Sequence, residues 1–154
     1  MNTPSPNQLH RVGVFALSAI LLAMTWGFAG VAKLTSGGVP SWFSEQFGKT
    51  ILASFPGLTA SYYSIALLET LAALAALGSI LRGEFVRNVA PLFLHASILL
   101  SLALFVQLSF GKQLLSDYDG THDLYMYFAG TLVMLIVVRS LDATRAQTRP
   151  EAAR

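Results

Sequence analysis

Apolar residues fall along this chain in four long runs, Val12–Leu34, Tyr62–Leu81, Val89–Phe110 and Leu124–Leu141. Each is close to the roughly 20 residues that a helix needs to cross a hydrocarbon core. The first run follows Arg11, as a secretory signal would. Its apolar core is longer than the roughly 7–15 residues of a signal, however, and it ends in Lys33 without a convincing cleavage site, so it is read as an uncleaved span. The short Arg82–Asn88 turn makes the second and third spans antiparallel neighbours. The pattern therefore predicts an all-α, integral-membrane, four-helix up-down bundle. One membrane domain covers 12–141, flanked by solvated tails at 1–11 and 142–154, with no internal repeat and no low-complexity tract.

The connection after the first span is unusual. Gly37-Gly38 and Pro40 break one helix, and Pro56-Gly57 marks a second break. Between them Trp42, Phe43, Phe47, Ile51, Leu52 and Phe55 recur at helical spacing, with Glu45 and Lys49 interspersed. This predicts a short interfacial helix with its aromatic side among the headgroups. Such a helix is either a lid over a site or a buttress on the bundle rim.

Composition sharpens this picture. Hydrophobic residues make up 54% of the 154 positions and charged residues 12%, about half the soluble norm of roughly 25%. A soluble domain of this size has too little interior to hide that much apolar surface, so the surplus faces a lipid bilayer. There is no cysteine, which removes thiol redox chemistry, disulfide exchange, cysteine zinc sites and thioether-bound haem. A formal charge of +2 and a pI near 9.2 do not imply nucleic acid as a partner, because the arginines sit at the membrane boundary. All seven arginines (Arg11, Arg82, Arg87, Arg139, Arg145, Arg149 and Arg154) fall on one side of the deduced topology, and the three lysines (Lys33, Lys49 and Lys112) on the other. The arginine side, with both termini, is expected in the cytoplasm. Asp117, Asp119 and Asp123 then lie in an outward-facing loop.

Glu69 is the first candidate for function. It lies seven positions past Tyr62, roughly 10 Å below the outer boundary at about 1.5 Å per residue. A carboxylate there costs about 2.5–3.5 kcal/mol or more unless it is protonated or paired. Ala72, Ala73 and Ala76 follow it at helical spacing, matching the stripe Ala19, Ala23, Gly27 and Gly30 on the first span. Small residues let helices approach closely, so Glu69 is expected to face inward and to pair with Lys33, directly or through water. Trp26, Ser101, Tyr127 and Thr131 fall near the same layer. Tyr62, Tyr63, Gln107, His122 and Asp123 lie above it, with Trp42 at the rim. These groups either line a cavity open to the outer side or act as interhelical hydrogen-bonding glue. His95 lies near the opposite boundary and is expected to be hydrogen-bonded locally; Asp123 is expected to cap the fourth span. No metal-ligand spacing, phosphate loop, nucleophile elbow or dinucleotide fingerprint occurs.

Gly30-Val31-Ala32-Lys33-Leu34 at the end of the first span, with Leu67-Leu68-Glu69 in the second, resembles the DoxX-like family of small four-helix bacterial membrane proteins. The likeness runs from about Arg11 to Leu141 by span order and loop length. It implies a multi-pass protein of the bacterial inner membrane. It also implies an accessory subunit in membrane redox or respiratory metabolism, with Lys33 and Glu69 at the matching positions. A quinone is the cofactor this reading brings in, near Glu69, Trp26 and Tyr127, with electrons supplied by another membrane subunit. The long Trp42–Phe55 segment departs from the family pattern, as does His122-Asp123, where such proteins more often carry a Lys-Asp pair. No self-contained catalytic or redox centre is visible. A small proton-coupled transporter using Glu69, and a non-catalytic assembly factor binding other subunits or copies of itself, are the alternative readings.

Overall fold

The computed structural model describes residues 6–86 and 89–147. Five α-helices occur in this order: α1 (Pro6–Leu34), α2 (Ser41–Phe47), α3 (Leu58–Arg82), α4 (Leu92–Leu114) and α5 (Tyr118–Gln147). A 3-10 turn at Ile51–Ala53 follows α2. The long helices α1, α3, α4 and α5 are each long and apolar enough to cross a bilayer. They form the up-down bundle that the apolar runs predict, with both ends of the described chain at one end of it. Packing is sequential: α1 lies on α3, α3 on α4 and α4 on α5, while lesser contacts of α1 with α4 and α5 close the bundle.

The helices overrun the apolar runs at most ends. α1 already begins at Pro6 and α5 continues to Gln147, so parts of both expected tails are helical. Backbone hydrogen bonding does not stop where hydropathy does, and polar residues extend a helix past the lipid boundary readily. Arg11, Arg82 and Arg139 fall at one end of the bundle, and Lys33, Lys49 and Lys112 at the other. Arg87, Arg149 and Arg154 lie outside the described residues, as does the side chain of Arg145.

The α1–α3 seam is built from the two small-residue stripes. Ala19, Ala72, Ala73 and Ala76 are buried. A Cβ placed on Gly30 would stand 2.9 Å from Thr70 Oγ1 and 3.2 Å from the Thr70 backbone nitrogen, so this glycine sets the helix separation. Around the seam Phe15, Leu22, Trp26, Leu94, Ile98, Leu104, Leu135 and Val138 form one core.

The turn between α3 and α4 solves a capping problem. α4 starts after Pro91, which has no side-chain acceptor for the free amides of the first turn. Gly83, at φ 66°, takes the left-handed conformation that ends α3, and Glu84 donates its amide back to the Ser79 carbonyl. Glu84 is thereby turned inward, 1% exposed, and its two carboxylate oxygens each accept at 3.0 Å, from Phe93 N and Leu94 N. A buried carboxylate on two first-turn amides is favourable both as a cap and against the helix dipole.

The segment after α1 departs from expectation. Its helix ends at Phe47, where Gly48 and Thr50 intervene before the 3-10 turn, so there is no continuous helix to Phe55. Nor does its aromatic side lie wholly outward. Phe43 and Phe47 are buried with Tyr62 in a second small core, ring centroids 4.7 Å and 5.3 Å from Phe43, while Trp42, Ile51 and Phe55 are exposed. The apolar stripe of α2 has the top of α3 to pack against, and burying two rings there offsets more than headgroup contact does.

Candidate functional site

The bundle end that carries the lysines encloses a cavity of about 660 Å³, within the range of small-molecule sites. Phe43 and Phe47 of α2, Leu52 and Pro56 roof one side; Ser61, Tyr62, Ser64 and Ile65 of α3 and Gln107, Leu108 and Lys112 of α4 form the walls. Asp123 and Tyr127 of α5 complete it. The segment 41–56 therefore packs on the rim and also covers a cavity, combining the buttress and lid readings.

Of the polar and rim residues singled out in the sequence, Lys33, Trp42, Tyr62, Gln107, Asp123 and Tyr127 line this cavity. Glu69, Trp26, Ser101, Thr131 and His122 do not. Trp26 donates through Nε1 to Ser101 Oγ at 2.7 Å, and Ser101 donates on to the Ser97 carbonyl at 2.7 Å. Ser97 in turn donates to the Ala72 carbonyl of α3 at 2.8 Å. This chain of bonds ties α1, α3 and α4 together and consumes the donors, so these groups are glue. Thr131 is buried in the bundle below the cavity, and His122 is 73% exposed with Asp123 Oδ1 at 3.9 Å. An aromatic path does connect the two layers: the tilted rings of Trp26 and Phe105 lie 5.3 Å apart, and those of Phe105 and Tyr127 6.1 Å apart.

Lys33 joins the buried layer to the cavity. Its Nζ donates to Glu69 Oε1 at 2.8 Å, a direct contact with no intervening water needed. The residue is also part of the cavity wall. Glu69 is 2% exposed, and its second oxygen, Oε2, is buried without a hydrogen-bond partner. Leaving a lone pair unfilled there is a real cost, and a carboxylate with one paired and one spare oxygen is suited to carrying a proton.

A second ion pair lies at the mouth. Lys112 Nζ donates to Asp117 Oδ2 at 2.7 Å, and the Gly120 amide donates to Asp117 Oδ1 at 2.9 Å. The Lys112 hydrogen bond, then the Gly120 amide, hold the Asp117 carboxyl below the usual carboxylate range. Asp117 is thus the cap of α5, six positions before the expected Asp123, which is solvated at the rim. The helix starts earlier because Tyr118–Thr121 completes a turn on Asp117 that hydropathy alone does not reveal.

Two residues escaped notice in the sequence, one at the cavity and one at the opposite end of the bundle. Ser61 is 5% exposed, and its hydroxyl has no hydrogen-bond partner. Glu84 was hidden because its role depends on the fold of its own turn, although an acidic residue shortly before a helix that opens on Pro91 was an available signal. His95, expected to be hydrogen-bonded locally, has its Nε2 buried with no partner. Among the described residues no three His, Asp or Glu side chains cluster as metal ligands do.

Fold and cavity together define a multi-pass α-helical membrane protein with an amphipathic chamber at one end of its bundle. Comparison with protein-family models, with curated proteins and with solved structures finds no match.

Proposed function

We propose that this chain is a DoxX-like accessory subunit of membrane redox or respiratory metabolism in the bacterial inner membrane. In this reading it holds a quinone headgroup in the cavity beneath α2, with both termini in the cytoplasm. The observation that carries the reading is a chamber of about 660 Å³ with largely apolar, aromatic walls, reached by a lysine that is bonded to a buried carboxylate. Apolar walls with a few convergent polar groups suit a ring with a lipid tail. Lys33 and Glu69 supply a proton-handling pair beside it, while electrons come from a partner subunit. The placement of Arg11, Arg82 and Arg139 supports the orientation.

The decisive experiment is purification with native lipid. The organic extract is expected to contain quinone in stoichiometric amount, and a short-chain benzoquinone is expected to quench tryptophan fluorescence saturably. Absence of both overturns the proposal. The spare oxygen of Glu69 also favours the second reading, a proton-coupled transporter. Proton-dependent flux in proteoliposomes that disappears in Glu69→Gln, with no quinone bound, would select it instead.

A further inference from the structure

Ser61 is the part of the cavity wall that the fold does not explain. Hydroxyls on helices commonly return their proton to a carbonyl one turn back. Those of Ser64, Thr70, Ser101 and Ser140 do so here, at 2.7–2.8 Å. Ser61 does not: its hydroxyl is shut off from water and has no acceptor, although the residue borders the cavity. A change of χ1 between staggered wells is enough to aim a serine hydroxyl in a new direction.

Next to it the polar contacts are already fixed. Ser64 donates its only proton to the Ser61 carbonyl, so it can only accept from Gln107, whose Nε2 lies 2.6 Å away. This sets the orientation of the Gln107 amide and leaves its other amide hydrogen and its oxygen for the cavity. Charge is also accounted for. Lys33 is bonded to Glu69 and Lys112 to Asp117, while Asp123 adds a carboxylate at the rim. Among the described lining residues no uncompensated cation remains to receive an anionic headgroup.

We propose that the cavity is selective for a neutral, carbonyl-bearing amphiphile whose carbonyl oxygen accepts from Ser61, with Gln107 as the second polar contact, and that it disfavours anionic headgroups. This rests on the reading of the cavity as a ligand site and names the determinants of its specificity. The ring or ester lies against Phe43, Phe47 and Leu108.

The test uses the full chain in neutral detergent, with tryptophan quenching or calorimetry as the readout. Three probes of similar length are compared: a short-chain benzoquinone, an alkyl benzoate ester and laurate. Wild type is expected to bind the neutral probes at least tenfold more tightly than laurate. Ser61→Ala is expected to weaken the neutral probes by about five- to tenfold, the effect of one hydrogen bond. Its thermal stability without probe should be unchanged or higher, since an unsatisfied hydroxyl is removed. Equal binding by wild type and Ser61→Ala, or laurate binding as tightly as the ester, overturns the inference while leaving the quinone reading in place. Ester binding that depends on Ser61, without quinone binding, overturns the quinone reading alone. Failure of every probe overturns both.

Discussion

Breaking the Lys33–Glu69 pair from its two sides should give unequal results. The carboxylate side chain is 3% exposed and the lysine side chain 24%. In Lys33→Met the carboxylate is left buried with neither water nor a counter-charge, and removing one partner of a buried pair costs about 3–5 kcal/mol. The lower end, about 3 kcal/mol, applies because the pair is not fully enclosed. In Glu69→Leu the remaining lysine already borders the cavity and can extend its ammonium toward headgroups or water, so the loss should be only about 1 kcal/mol. The double variant replaces an ion pair with apolar side chains in an apolar bundle and should also lose about 1 kcal/mol or less. The cycle then gives a coupling of about 3 kcal/mol, placed almost entirely on the lysine side. Unfolding free energies from SDS titration in mixed micelles measure all four corners. Glu69→Leu as damaging as Lys33→Met, or a double variant that merely adds the single losses, would refute this account of the pair.

Other consequences are simpler. Glu84→Ala removes both acceptors from the first turn of α4 and should cost about 2 kcal/mol, with Glu84→Gln intermediate; faster amide exchange at Phe93 and Leu94 is the local signature, and unchanged exchange would contradict the capping role. Gly30→Ala should destabilise by about 1–3 kcal/mol because its Cβ meets the backbone of Thr70, whereas Gly27→Ala, with Ala73 Cβ 3.9 Å away, should be nearly silent; paired thermal melts distinguish them. Asp117 titrates below its ordinary value in the folded chain, so its contribution is complete above the unfolded pKa of about 3.9 and is lost as pH falls through the lower folded value. Asp117→Asn should therefore flatten the acid side of the stability–pH profile, and a profile identical to wild type would exclude that role.

The number of spans, their antiparallel order and the inward turn of Glu69 were legible along the chain, because these follow from quantities that are local. An apolar run of sufficient length has few alternatives to a membrane helix. The alanines at the i+3, i+4 and i+7 positions from Glu69 fix which side of α3 is narrow enough to meet α1. Lys33 was legible as its partner because it was the basic residue at the matching end of the neighbouring span. Tertiary structure decided the rest. Trp26 and Ser101 share a depth with Glu69, but only packing shows that they bond to each other and leave the cavity to α2, Ser61 and Gln107. The cap of α5 passed from Asp123 to Asp117, and Glu84 acquired a role from a left-handed glycine beside it, since capping depends on where a turn closes. Depth along a helix can be read from one chain, whereas the angle at which each side chain meets its neighbours exists only once the helices are packed.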